Sequence, residues 1–234
     1  MQHNKQATQP THIGLILDGN RRWAKAQGLS TLDGHRKGYA NLKTIAKHAL
    51  KLEGLRYLTV FVFSTENWKR SEEEVGYLMD LALWVANNEV KELHKENIRV
   101  RFLGTKDKLD KKLLDAIEKA EELTINNTAG TVGLCFNYGG QQEITEAVRQ
   151  ANEAGEDMRA LEPATLEKYL YAPDIPPVDM IIRTSGEQRI SNFMLWRAAY
   201  AELYFADKHW PDFDTDDFDA AIEDYKNRQR RFGQ

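Results

Sequence analysis

Two arginines, two serines and a glycine crowd the segment Arg183-Thr184-Ser185-Gly186-Glu187-Gln188-Arg189-Ile190-Ser191-Asn192, just ahead of an apolar stretch with Phe193, Trp196, Ala199 and Tyr200. Guanidinium forks bridge pairs of phosphate oxygens, and a helix opened by Ser191 or Asn192 offers free backbone N–H groups to the same anion. That combination suits a diphosphate; the plainer alternative is a helix cap with solvated charges. A second candidate is Asp18, followed by Gly19 and Asn20 and then by the cations Arg21, Arg22 and Lys25. A lone carboxylate suits magnesium, which keeps most of its waters and takes further ligands from substrate phosphates. An aspartate so placed also forms turns and caps helices. Glu202 is a second carboxylate in an apolar setting, read either as a metal ligand or as the partner of a cation. His35, after Gly34, is read as a phosphate donor or a structural histidine.

Periodicity shows what must position these groups. Ile13–Leu17 reads as a buried strand that stops at Asp18-Gly19-Asn20. Arg36–Leu52 has helical spacing, and Leu55–Phe63 is a β-branched and aromatic strand ending at Ser64-Thr65-Glu66-Asn67-Trp68. Ser71 with Glu74 has the spacing of a capping box. It opens a helix with Val75, Leu78, Met79, Ala82, Val85 and Ala86 on one face. Strands at Ile98–Leu103, Val132–Phe136 and Met180–Ile182 alternate with helices at Lys108–Leu123 and Glu143–Ala154, and a last helix spans Asp216–Arg230. Asn137-Tyr138-Gly139-Gly140 follows the fourth of the five expected strands.

Residues 1–11 read as a flexible tail and 12–234 as one domain. The expected fold is α/β, with a mainly parallel central sheet flanked by helices. Ligands bind such sheets beyond the carboxyl ends of the strands. Asp18–Asn20, Ser64–Trp68, Asn137–Gly140 and Arg183–Gly186 should therefore gather at one edge.

Composition narrows the classes. The chain has 234 residues, 41% of them apolar, enough for a sizeable core. A net charge of −4 gives no general attraction for nucleic acid, so anionic substrates must be held by local arginine clusters. The single cysteine, Cys135, excludes an internal disulfide and reads as a small buried residue. No apolar run of about 18 residues exists, and the polar start lacks the apolar core of a signal peptide, so a cytoplasmic setting is expected. The histidines show no metal-ligand spacing. No GxxxxGK[ST] loop, GxGxxG turn after the first strand, or GxSxG elbow is present, which weighs against a generic nucleotide-binding protein. Lys226, Arg228, Arg230 and Arg231 form a basic end to the last helix, favoured by its dipole.

Together, several stretches resemble the cis-prenyltransferase family, the undecaprenyl diphosphate synthases and their relatives. They are Leu17–Ala24, Gly34-His35, Phe63–Trp68, Asn137–Gly140, Ile182–Glu187, Arg189–Phe193, Ala201–Tyr204, Trp210–Phe213 and Arg228–Gly233, in family order over roughly residues 12 to 233. The resemblance implies an enzyme that condenses isopentenyl diphosphate with an allylic primer such as farnesyl diphosphate. The product would be a longer cis-polyprenyl diphosphate, such as the undecaprenyl carrier of wall-lipid synthesis.

On that resemblance, Asp18 binds magnesium beside the primer diphosphate, and Gly19, Asn20, Arg22 and His35 surround that diphosphate, with Arg21 and Trp23 among the substrate-binding residues. Ser64, Glu66, Asn67, Trp68 and Arg70 belong to the segment that positions the reacting ends. Asp18 and Asn67 are the catalytic candidates, and Asp18, Asn67 or the released diphosphate accepts the proton. Arg183, Arg189 and Ser191 hold isopentenyl diphosphate, and Glu202 completes the metal environment. Arg231 reaches across a homodimer interface. An apolar tunnel between sheet and helices, lined by Val62, Val75, Leu78 and Met79, takes the growing tail, and the apolar product brings transient membrane contact. The stretch Asp216-Asp217-Phe218-Asp219-Ala220 lacks the DDxxD pattern of trans-type synthases. Three positions depart from the usual pattern: Thr31 where many members have arginine, Gln188 where some have histidine, and a bulky Tyr39 near the tunnel mouth. A non-catalytic partner subunit is the competing reading within the family; the presence of Asp18, Arg183, Arg189 and Ser191 argues against it.

Overall fold

Short β-branched and apolar runs ending in polar residues become six strands in the computed structural model, which describes residues 9–228. They are β1 (His12–Ile16), β2 (Tyr57–Ser64), β3 (Ile98–Leu103), β4 (Gly130–Tyr138), β5 (Met180–Arg183) and β6 (Glu202–Phe205). The sheet order is β3-β4-β2-β1-β5-β6, and every neighbouring pair is parallel. From β1 the chain moves out through β2 to the β3 edge, then returns to place β5 on the free side of β1. The direction of winding thus reverses between β1 and β5, where Ile16 pairs with Arg183. Such a reversal leaves a crevice at the carboxyl ends of the strands.

Among the described residues eight α-helices cover the sheet: α1 (Asn20–Ala26), α2 (Thr31–Ala49), α3 (Glu72–Trp84), α4 (Val90–Lys95), α5 (Lys111–Thr124), α6 (Gly140–Glu153), α7 (Pro163–Glu167) and α8 (Thr215–Asn227). Helix α2 starts ahead of the expected Arg36 because Ser30 and Asp33 form a reciprocal capping box. The long helix expected after Ser71 is interrupted by a π-helical segment, Val85–Glu89, between α3 and α4. Because side chains alternate along a strand, β1 serves two cores. Ile13 and Leu15 pack with Ile45 and Ala49 of α2 and with Phe218 and Ile222 of α8. Ile16 faces the other way, with Tyr138, Ile181, Phe193 and Met194. No helix among the described residues is long and apolar enough to cross a membrane.

The apolar stretch after Asn192 is not the expected helix. Residues 191–200 run as successive turns, with Ser191, Asn192 and Met194 at φ of 49°, 65° and 49°. Tertiary contacts override the helical pattern. Phe193 fills the space over Gly14, where an added Cβ would lie 2.8 Å from its ring. Arg197, only 4% exposed, donates to the carbonyls of Tyr171, Ala172 and Ile175 and to the carboxylate of Glu143. A regular helix could not serve all these contacts, so the expected helix terminus offers no anion site.

Candidate active site

Asp18 is placed by backbone contacts: its carbonyl accepts the Thr184 hydroxyl at 2.7 Å and the Trp210 N–H at 3.0 Å. Gly19 then takes φ of 105°, and any Cβ there would meet Ser185 Oγ at 2.6 Å and His209 Nδ1 at 2.8 Å, so glycine is required. The half-buried Asp18 carboxylate accepts from Arg183 Nη2 at 2.7 Å and lies 3.2 Å from Arg22 Nη2. Burial alone would raise its pKa, but the hydrogen bond and charge of Arg183, joined by Arg22, hold it below the usual aspartate value. Arg183 is 4% exposed. Its Nη1 donates to Arg189 O at 2.6 Å and to Ser191 Oγ at 2.7 Å. Glu187 spans Arg22 at 2.9 Å and Arg189 at 2.5 Å.

A second cluster faces Asp18 from α2 and α3. Glu74, 5% exposed, accepts from His35 Nε2 at 3.0 Å and from Arg70 Nη1 at 2.8 Å, with Arg21 Nε 3.9 Å away. Ser71 does cap α3 through the Glu74 N–H, but the Glu74 side chain leaves the cap for these cations. The capping-box spacing therefore concealed a site residue. Burial lowers the pKa of His35 despite the raising effect of Glu74. Burial thus favours the neutral imidazole, whose Nε2 is engaged by Glu74. Contact between Nδ1 and a phosphate oxygen requires protonation, which an incoming diphosphate favours.

Two adjoining cavities meet here. One, of about 600 Å³, is lined by Asp18, Asn20, His35, Ser64, Glu66, Asn67, Arg70, Arg183, Ser191 and Asn192 at its polar end. Its other walls are Ile16, Leu17, Tyr39, Leu42, Phe61, Val62, Leu78 and Leu81. The second, of about 790 Å³, shares Asp18, Asn20, His35 and Arg70 and adds Gly19, Arg21, Arg22, Lys25 and Thr31. Val62 and Leu78 thus line the apolar end as expected, whereas Met79 packs with the Phe63 and Leu113 cluster, and Val75 is absent from the wall. From α3 it is Leu78 and Leu81 that line the cavity; Leu78 belongs to the apolar stripe that periodicity favoured, and Leu81 lies beside that stripe.

Four expected site residues stand outside both cavities. The Trp23 indole donates to Asp212 and that of Trp68 to Asn137. Arg189 is drawn to Glu187. Glu202 opens β6 in register with Met180, at the end of the strands opposite Asp18, and pairs with Arg228 Nη1 at 2.8 Å. The structure therefore does not bring Glu202 to Asp18 within one chain. Arg231 lies outside the described residues.

The carboxylate at the junction suits a hard cation. Asp18 is ionised and borders a phosphate-sized, cation-lined space, whereas Asn20 Oδ1 is buried against Gly38 without a hydrogen-bond partner. Among the described residues no cluster of three or more acidic, histidine or cysteine side chains forms an all-protein metal cage. Arg183 Nε–H is likewise buried and unpaired, a donor still available to an anion oxygen.

The comparisons agree with this architecture. The family described as "Putative undecaprenyl diphosphate synthase" matches residues 16–233. An isoprenyl transferase of Thermotoga maritima is 48% identical over 227 residues, covering 96% of this chain and 97% of that protein. A decaprenyl diphosphate synthase of Mycobacterium tuberculosis is 46% identical over 228 residues, covering 96% and 77%. The crystal structure of lavandulyl diphosphate synthase from Lavandula x intermedia, in complex with dimethylallyl diphosphate, superposes with a TM-score of 0.91 at 36% identity, covering 97% and 99%. The fold, the sheet-edge crevice and these relatives converge on one conclusion: the chain belongs to the cis-prenyltransferase family of the undecaprenyl diphosphate synthases.

Proposed function

We propose that this chain condenses isopentenyl diphosphate with an allylic prenyl diphosphate, farnesyl diphosphate by preference, and extends it to a cis-polyprenyl diphosphate of undecaprenyl length. The observation that carries this reading is the amphipathic cavity: Asp18, Arg183, Arg70 and His35 stand at one end, and an apolar wall from Phe61 to Leu81 continues from them. A diphosphate head with a hydrocarbon tail matches that division.

Magnesium is the proposed cofactor; Asp18 would hold it, and bound there it would supply charge neutralisation to diphosphate oxygens. The primer's C1–O bond breaks, and its electron pair stays on the departing diphosphate. Arg22, Arg70 and Arg183 stand where that charge develops, already oriented by Glu187, Glu74 and Asp18. C1 of the primer bonds to the terminal alkene carbon of isopentenyl diphosphate, which then loses a proton from C2. Asp18, held below the usual carboxylate range, is a weak base, so the released diphosphate is the better acceptor. Asn67 accepts the Ser64 N–H through Oδ1 at 3.1 Å. Its free NH₂ points to a positioning role rather than to a base.

On this reading Ser191, Arg183 and Arg189 hold isopentenyl diphosphate, while Gly19, Asn20, Arg21 and Arg22 border the primer. The working unit is a homodimer, which sedimentation would test, and the apolar product gives a cytoplasmic enzyme its membrane contact. The decisive experiment incubates labelled isopentenyl diphosphate with farnesyl diphosphate and magnesium and resolves products by length. A ladder of cis products ending near undecaprenyl supports the proposal. Folded protein that makes no product from any allylic primer sinks it and favours a partner-subunit role.

A further inference from the structure

The Asn-Tyr-Gly-Gly stretch singled out in the sequence touches neither cavity, yet it explains how the two halves of the site are joined. Gly140 N–H donates to the Asn192 carbonyl at 2.7 Å, and Gln141 N–H donates to Asn192 Oδ1 at 2.8 Å. Asn192 thus caps α6 from far along the chain. Gly139 is small for the same reason: a Cβ there would meet Asn192 Nδ2 and Thr65 Oγ1, both at 2.8 Å. With that space clear, Asn192 Nδ2 donates to Glu66 Oε1 at 3.1 Å. Asn192 also adopts the left-handed backbone, φ 65°, which asparagine tolerates better than most residues.

One side chain therefore ties together three segments. Its neighbour Ser191 is fastened to Arg183, in the turn that presents the isopentenyl diphosphate cations. Glu66 lies in the segment that carries Asn67 and Arg70, which line the same cavity. The third segment is the start of α6, which is anchored to the sheet.

We propose that Asn192 is a positioning residue that sets the spacing between the two diphosphate half-sites through its bond to Glu66. This inference rests on the prenyltransferase reading above. Its test is a polarity swap. Asn192→Asp keeps the acceptor for Gln141 N–H and a residue type that tolerates left-handed backbone, but sets a carboxylate against Glu66. KM for isopentenyl diphosphate should rise about tenfold, the effect of one lost hydrogen bond to a charged group, while kcat falls less. Adding Glu66→Gln supplies a donor to the new carboxylate and should recover most of that loss. Adding Glu66→Ala instead gives the same net charge without the bond and should not recover it.

An unchanged KM in Asn192→Asp, a double variant with Glu66→Gln no better than the single, or equal recovery by both doubles would overturn the proposal. If Asn192→Asp does not fold, Asn192→Gly, which keeps the backbone and deletes the side-chain bonds, should show the same rise in KM. Loss of the fold in both would make Asn192 structural and refute a positioning role. An inactive wild type, by contrast, refutes the prenyltransferase reading itself, whereas an active wild type with an indifferent Asn192→Asp refutes this inference alone.

Discussion

Replacing Arg197 by methionine removes a guanidinium that is 4% exposed and leaves Glu143, 1% exposed, without its ion-pair partner. The pair is short, 2.6 Å between Nη1 and Oε1. After the change, Glu143 retains only the Tyr138 hydroxyl and the Tyr171 N–H as donors, and the carbonyls of Tyr171, Ala172 and Ile175 each lose a bond. Breaking a buried pair from one side costs about 3–5 kcal/mol. Against a typical stability of about 5–15 kcal/mol, that is a large part of the whole. Urea unfolding at neutral pH, followed by tryptophan fluorescence, would measure it. Arg197→Met with Glu143→Gln removes the stranded charge, so the double variant should be more stable than Arg197→Met alone, the signature of coupled sites. A loss below about 1 kcal/mol for the single variant would refute the claim that this pair anchors the turns at 191–200. So would a double variant whose loss is the plain sum of the two single losses.

Asp18→Ala should lower turnover by about a hundredfold or more, the scale of losing preorganised charge stabilisation, and should lower the melting temperature, because buried Arg183 loses its carboxylate partner; near-normal turnover would sink the metal assignment. Burial lowers the pKa of His12 from 6.5 to about 4, so the folded state favours the neutral ring. The stability this gives is complete above pH 6.5 and is lost as pH falls towards 4. The loss is about 3 kcal/mol by proton linkage, and His12→Asn should flatten that part of the pH–stability curve. Tyr39 lines the apolar end of the cavity, with its ring edge-on to Trp84 at 5.9 Å. Tyr39→Ala should therefore lengthen the longest product, and an unchanged product ladder would remove Tyr39 as a boundary of the tunnel.

Much of the frame was legible in local pattern. The strand that ends at Asp18 and the one that ends at Arg183 are apolar runs stopped by polar residues, and their alternation with helices implied the parallel sheet and its crevice. Asp18, Asn20, His35, Ser64, Asn67, Arg70, Arg183 and Ser191 do line that crevice. Local pattern also misled in definable ways. Glu74 has the spacing of a capping partner, but its side chain serves His35 and Arg70. The apolar stretch after Asn192 has helical composition, but Phe193 and Arg197 are claimed by the sheet face and by buried carbonyls.

The amino-acid sequence by itself determined which residues end the strands and which segments are apolar, because side-chain periodicity and turn chemistry act over a few residues. Tertiary structure alone decided which charges meet. Asp18 and Arg183, 165 positions apart, touch only because β5 is laid beside β1. The same sheet register sets Glu202 at the far end of β6 against Arg228. A carboxylate's partner is fixed by strand order and register, which long-range packing selects and no local pattern encodes.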